Sequence, residues 1–506
     1  MSDSELALSL TPAQRVMIMA AVMLACTLYS TTLLIASTLL PQMQGSMAAT
    51  ADEIAWAMTF NILATAVVTP MTGWLVSRFG RRNVMMWSIL GFTFATYFCG
   101  AADSLGSLVF WRVVQGGLGA PVVPLSNAIL LDSFPRRQLA MVTSIFGMAV
   151  VIGPVIGPTL GGFLAEAYSW RWAFYMLVPV GLSACLGLRL SLPADRPAAR
   201  VRLDWTGFLT LAIAISCVQL VLSRGQRLDW YESTEITFET VLAVLAFFMF
   251  IVHSVTAERP FLDLKLLTDP NYALGLILVT VYGMLNFTPV VLLPSLLQQY
   301  AGFPDQIIGE ILGARGIGAT IGFFLTMFAG RVDPRVGMTI GFALQIVSGV
   351  WLMSLDLNVD MMTLALTSVL QGIAVGIFWV PLTIATFPTL DTRLVPDGMA
   401  LFHLMRNIGS SFFISICVAE IVHATGSNYS RLTEQITPYN KTLALPWAMG
   451  AWTVDTQQGL AQLSKEINRQ AAMIGYINAF GFYTATSAGA ILLIMMAKKR
   501  QRKVAA

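Results

Sequence analysis

Gly147-Met-Ala-Val-Val-Ile-Gly153-Pro154-Val-Ile-Gly157-Pro158-Thr-Leu-Gly161-Gly162 lies inside an apolar run from about Leu139 to Ala165, long enough to cross a bilayer as a helix. Gly153, Gly157 and Gly161 recur every four residues and so form one stripe on one helical face. A stripe without side chains lets a neighbouring helix approach closely, which is how helices associate in lipid. Pro154 and Pro158 each remove one backbone hydrogen bond, from the carbonyls of Val150 and Pro154, and favour a bend. Such a bend needs neighbours or a water-lined cavity to support it. Ordinary membrane packing accounts for the glycines alone equally well; two prolines in register favour a functional bend.

Composition sets the class. Of 506 residues, 56% are hydrophobic and 11% charged, against roughly a quarter charged in a soluble domain. The sequence reads as an all-α, polytopic membrane protein. The net charge of +3 reflects where Lys and Arg sit and gives no reason to expect nucleic acid. Cys26, Cys99, Cys185, Cys217 and Cys417 fall in apolar runs with neither metal-ligand spacing nor a disulfide framework. With only three His, an intramembrane metalloenzyme is not expected. No Gly-x-x-x-x-Gly-Lys loop points to ATP. Neither cofactor nor metal is expected, and the chain is not read as an enzyme. The polar N-terminus lacks the marks of a cleaved signal peptide.

Apolar runs suggest fourteen spans, at 16–40, 54–77, 83–102, 106–131, 139–165, 171–192, 204–223, 235–257, 271–298, 305–329, 337–354, 361–386, 398–422 and 473–496. Lys and Arg concentrate in alternate loops, which places both termini in the cytoplasm. An internal repeat sets the architecture. Val114-Gln115-Gly116 with Val123-Pro124-Leu125 recurs as Leu370-Gln371-Gly372 with Val380-Pro381-Leu382, and Arg78-Phe79-Gly80 recurs as Arg335-Val336-Gly337. The offset of about 257 residues contains eight spans, as expected for a six-helix half repeated in parallel with two helices inserted between. The expected layout is a cytoplasmic N-terminus (1–15), a first half (16–192), a linker with the extra helices (193–270), a second half (271–496) with an external loop (423–472), and a basic tail (497–506).

This pattern resembles the fourteen-helix drug:proton antiporter branch of the major facilitator superfamily. The resemblance runs from about residue 16 to 496. It is carried by Gly73-Trp-Leu-Val-Ser77-Arg78-Phe-Gly80-Arg81-Arg82, by Arg112-Val-Val-Gln115-Gly116, and by the antiporter signature Gly157-Pro158-Thr159-Leu160-Gly161-Gly162. Trp170-Arg171-Trp172, Leu203-Asp204-Trp205 and Met405-Arg406-Asn407-Ile-Gly409 add to it. The resemblance implies the major facilitator fold in a bacterial inner membrane. It also implies export of drug-like or amphiphilic small molecules by alternating access, coupled to inward proton flow. A proton-independent facilitator, a lipid or fatty-acid exporter, or a membrane receptor that kept the fold are the rival readings. A periplasmic adaptor is a further expected partner, by analogy with some relatives.

An ionisable residue at membrane depth is costly and so is functional by default. Arg112 shares a helical face with Gln115, Gly116 and Gly119, and the resemblance places it on a central cavity with a role in proton-linked switching. Capping of carbonyls at a helix break is the structural alternative. Arg315 and Glu310 follow, five residues apart on adjacent faces. His403 and Arg406 are placed near the cytoplasmic end of their helix and Glu420 near its outer end; interfacial snorkelling explains each equally well.

The family's helix-1 acid is absent. Aligning Leu28-Tyr-Ser-Thr-Thr32 on Pro41 puts Thr32 in its place, and a hydroxyl does not titrate near neutral pH. Glu310 and Glu420 remain as proton carriers. Without a buried anion, neutral or anionic amphiphiles drawn by Arg112 fit better than lipophilic cations. Ser77 likewise replaces the usual acid of the cytoplasmic loop. The expected gate comprises Gly73, Arg78, Gly80, Arg81 and Asp132. Cavity walls are assigned to Tyr29, Tyr282, Phe287, Phe378 and Trp379, with Asn286, Gln371 and Thr383 supplying hydrogen bonds; a lipid-facing or core position accounts for each equally well.

Overall fold

The computed structural model of the chain describes residues 11–135, 138–193, 202–258, 260–327, 333–390, 394–437, 440 and 456–496. All regular elements among these residues are helical.

The chain enters its first helix through a capping box, in which Thr11 and Gln14 satisfy each other's orphan donors and Pro12 takes the first position. This helix, α1, runs Pro12–Met47. A second capping box, Thr50 with Glu53, opens α2 (Ala51–Val68). A 3-10 turn at Thr69–Met71 leads into α3 (Thr72–Phe79). Gly80 has φ +84° and ends it, and α4 (Arg81–Ala101) starts at the next residue; only glycine takes that conformation without strain. The fourth expected span is divided at Ala120–Pro121 into α5 (Leu105–Gly119) and α6 (Val122–Ser133). Next come α7 (Leu139–Ala167), α8 (Trp170–Tyr175) and α9 (Leu177–Ser191).

The two inserted helices are α10 (Trp205–Arg224) and α11 (Thr234–Thr256). Asp204 ties them together. Its carboxylate accepts from the Gly207 amide at 3.0 Å, the Phe261 amide at 3.0 Å and His253 Nε2 at 2.9 Å. Burial pushes the Asp204 carboxyl up, but these donors outweigh it and hold the group below its usual value.

The later helices are α12 (Pro270–Leu296), α13 (Asp305–Met327), α14 (Pro334–Met353), α15 (Met361–Thr386), α16 (Val395–Thr433) and α17 (Gln457–Met496).

Thirteen helical stretches among the described residues are long and apolar enough to cross a membrane. Helix α7, at 29 residues, is long enough to make the fourteenth, at roughly 43 Å. Helices α16 and α17 are 39 and 40 residues long, so each extends well past the span expected from hydropathy. Among the described residues, much of the segment expected outside at 423–472 is therefore helical. Hydropathy marks where lipid ends, and these helices continue because they pack on each other there, with Tyr429 Oη 2.9 Å from Ser464 Oγ.

The buried apolar side chains form separate cores. Two draw only on residues between Ile18 and Leu188; the third draws on Ala66 and on residues from Leu211 to Ile494. The repeat in sequence is a repeat in packing. A Cβ on Gly116 of α5 would strike the Asn61 carbonyl of α2, and one on Gly372 of α15 would lie 2.5 Å from the Ala319 nitrogen of α13. The other repeated turn differs. Gly80 is a helix junction, whereas Gly337 lies inside α14 against Pro381.

The glycine stripe of α7 packs on α1. A Cβ on Gly153 would be 2.7 Å from the Thr31 nitrogen, and one on Gly161 would be 2.5 Å from Ile35 Cγ1. Thr27 Oγ1 donates to the Ala149 carbonyl at 3.1 Å across the same seam. The stripe thus joins two helices near the start of the chain. A different face of α7 meets α13, through Gly147 against the Phe323 ring and Ser144 Oγ 3.4 Å from Thr326 Oγ1. Backbone helix geometry continues through Pro154 and Pro158.

Candidate functional site

A cavity of about 1040 Å³, including solvent at its mouth, lies between the early and late helices. Tyr29 and Ser30 of α1, Val123 of α6, and Phe146, Gly147, Val150 and Val151 of α7 form one wall. Opposite stand Tyr282, Asn286, Phe287 and Val290 of α12, Leu312, Arg315, Gly316 and Phe323 of α13, Trp379 of α15 and Arg406 of α16. Aromatic rings set its shape. Tyr282 stacks on Phe378 at 5.4 Å and leans on Trp379 at 5.0 Å, while Tyr29 packs on Phe92 at 5.8 Å.

The two walls touch at the end that arginine placement assigns to the cytoplasm. Asn127 Nδ2 reaches Met399 Sδ at 3.6 Å, and the Asp397 carboxylate rests against Gly73. With the Ser144–Thr326 and Gly147–Phe323 contacts, these close that side of the cavity.

Arg112 is 1% exposed and lies outside the cavity wall. Its Nε donates to the Ala57 carbonyl at 3.2 Å and its Nη1 to Gln115 Oε1 at 2.6 Å. Gln115 Nε2 in turn donates to Thr96 Oγ1 at 2.7 Å, and Asn61 Nδ2 donates to the Arg112 carbonyl at 2.7 Å. The arginine locks α2, α4 and α5 together, and no ion pair to it is seen among the described residues. The shared face with Gln115 is as the spacing implies; the placement on the cavity is not.

The other candidates separate into those on the cavity and those away from it. Arg315, Asn286, Trp379, Tyr29, Tyr282 and Phe287 meet there. So does Arg406, which the sequence reading placed nearer the cytoplasm; eleven residues into α16 is about 16 Å of helix. Thr32 is buried and donates to the Leu28 carbonyl of its own helix at 2.8 Å. Phe378 is 2% exposed and lies behind Tyr282. Thr383 donates to the Trp379 carbonyl at 3.0 Å. Gln371 is buried, with neither amide atom partnered among the described residues. Glu310 is exposed beside Gln306, and Glu420 accepts from Asn478 Nδ2 at 3.0 Å on α17; neither borders the cavity.

Arg81 pairs with Asp132, as the cytoplasmic motif suggests. Both belong to the early helices, so the pair fastens α4 to α6. Contact across the two walls at this end includes the Asp397 carboxylate in the first turn of α16, a residue that the sequence analysis did not single out. The available signal was Gly73, a glycine where no turn is needed. Asp132→Asn breaks a partly exposed pair, worth at most about 1 kcal/mol, and is expected to slow transport less than about fivefold in vesicle assays. Gly73→Ala puts a methyl where the Asp397 carboxylate sits and is expected to slow it more than Asp132→Asn.

Comparison with known proteins places these features in context. The family model described as Major Facilitator Superfamily matches residues 19–414. The multidrug export protein EmrB of Escherichia coli K12 is 30% identical over 91% of this chain and 90% of its own length. The fatty acid resistance protein FarB of Neisseria gonorrhoeae is 28% identical over 91% and 90%. The proton:xylose symporter XylE superposes with a TM-score of 0.57 at 13% identity, covering 93% of this chain and 96% of that one. Human MFSD10 superposes at 0.59 and 13%, covering 96% and 100%. The two structural likenesses speak for the fold.

Proposed function

We propose, from the premise that the chain belongs to the Major Facilitator Superfamily, that it exports drug-like and other amphiphilic small molecules as a secondary transporter of the bacterial inner membrane. The relative named as a multidrug export protein, matched along nine-tenths of both chains, supports the export direction. The observation that carries the reading is the central cavity, walled by aromatic and aliphatic side chains and closed toward one face by contacts between opposing helices. A rocking motion of residues 16–192 against 271–496 would break those contacts and open the other face, with 193–270 as the linker between them. Inward proton flow, typical of the family, supplies the energy in this reading. The outward extensions of α16 and α17 offer a surface for a periplasmic adaptor.

The test is transport in proteoliposomes with an imposed pH gradient and an internal pH dye. Addition of amphiphiles is expected to give substrate-dependent proton movement in the wild type and much less in Val290→Trp, whose indole projects into the cavity from its apolar wall. Glu310→Gln and Glu420→Gln run in parallel, and loss of proton flux in one alone would identify the coupling carboxylate. Substrate movement with no proton flux in any protein would favour the proton-independent reading. One observation favours that second reading: no Asp or Glu borders the cavity among the described residues.

A further inference from the structure

Arg315 and Arg406 present two guanidinium groups to one cavity. The Nη2 of Arg315 is held by the Asn286 backbone carbonyl at 2.6 Å and by Asn286 Oδ1 at 2.7 Å. That clamp satisfies one nitrogen and fixes the plane of the group. Its Nε is buried without an acceptor among the described residues and is sealed from the cavity, so donation into the cavity falls to the guanidinium nitrogens at its tip. Arg406 bonds to Oδ1 of its neighbour Asn407 at 3.3 and 3.2 Å, and its guanidinium lies 5.8 Å from the centres of the Phe287 and Trp379 rings. Stacking on ring faces leaves guanidinium edges able to donate.

Among the described residues neither arginine has a carboxylate within ion-pair distance, and the cavity wall carries none. Two like charges facing one low-dielectric chamber repel, and each lacks the anion that would offset its loss of hydration. A guanidinium fork matches the paired oxygens of a carboxylate, sulfonate or phosphate. Elsewhere Phe146, Val150, Val290, Leu312 and Phe323 make the wall apolar. Arg112, enclosed away from the cavity, does not compete.

We propose that the cavity selects amphiphilic anions, with the anionic head held by Arg315 and Arg406 and the tail among Phe146, Val290, Leu312 and Phe323. Asn286 is a positioning residue that aims Arg315. The assignment rests on the reading of this cavity as the export site, and it names the substrate class of that site.

The experiment measures equilibrium binding, so that it succeeds or fails independently of transport. Protein in nanodiscs of zwitterionic lipid is titrated with radiolabelled dodecanoate, dodecanol and dodecyltrimethylammonium, subtracting uptake by empty discs. Wild type is expected to bind dodecanoate at least tenfold more tightly than the alcohol and to show least affinity for the cation. Arg315→Gln and Arg406→Gln are each expected to lose at least tenfold for the carboxylate and little for the alcohol. Arg315→Lys should recover part of that loss, and Asn286→Ala should weaken carboxylate binding without affecting the alcohol. Val290→Trp should abolish specific binding of all three. Equal affinities across the series, or preference for the cation, would overturn the proposal. Displacement of dodecanoate by phosphatidylglycerol built into the discs would assign the arginines to a bilayer lipid and overturn it as well. Binding as expected with no export in liposomes would instead count against the transport reading alone.

Discussion

Arg112→Ala is expected to reduce export to background, at least about a hundredfold, while the protein still inserts in the membrane. A hundredfold corresponds to about 2.7 kcal/mol, within the roughly 2–6 kcal/mol expected when two buried partners each lose a hydrogen bond. Those partners are the Ala57 carbonyl and Gln115 Oε1. Loss of the second also frees Gln115 from the arrangement that joins it to Thr96. The helices involved, α2, α4 and α5, would keep their apolar contacts, so a folded but inactive protein is the result. Arg112→Lys retains the charge but cannot reach two acceptors lying in different directions, and is expected to recover only a minor part of the rate. Turnover per inserted molecule at the wild-type level in Arg112→Ala would remove the residue from the mechanism. A fall in protein amount with normal turnover would make it structural only.

The second large effect concerns two glycines of one helix, α7, that ought to respond in opposite directions. At Gly153 an added Cβ would meet Ser30 Oγ, the Thr31 nitrogen at 2.7 Å and the Thr27 carbonyl at 2.9 Å. Two of those atoms are backbone and cannot rotate away, so α1 and α7 would have to separate. Overpacking of this kind costs about 1–3 kcal/mol. At Gly162 an added Cβ meets nothing within 4 Å, and alanine gains up to about 1 kcal/mol of helix propensity over glycine. Gly153→Ala is therefore expected to lower the thermal midpoint of the purified protein and cut its folded yield, and Gly162→Ala to leave both unchanged or slightly raised. Size-exclusion chromatography after a heating series reads this directly. Equal tolerance at both positions would mean that α1 and α7 are not in contact along this stripe.

The membrane class, the placement of most spans and the family were legible in the chain. Apolar runs of about 20 residues have one stable form in lipid, where every backbone group must be bonded within the segment. The repeat at Gln115-Gly116 and Gln371-Gly372 was legible for the same kind of reason, since a glycine at a close helix crossing leaves a mark that hydropathy does not. The helical segment from Gln457 that extends α17 outward was legible too, whereas the overhang of α16 was less so, because polar composition ends a span without ending a helix.

The site required the tertiary structure. Arg112, Arg315 and Arg406 look alike in sequence, each a lone cation in an apolar run. Only packing shows that the first is enclosed by Asn61, Thr96 and Gln115 while the other two face a chamber. The glycine stripe could have faced either half of the molecule, and the structure sets it on α1. What the sequence by itself determined is therefore the membrane class and the position of most spans, because that follows from transfer of each apolar segment into lipid. What only the tertiary structure decided is which polar side chains meet, because helices of similar apolar character can rotate about their own axes at little cost in lipid, and close contacts between particular residues choose the rotation.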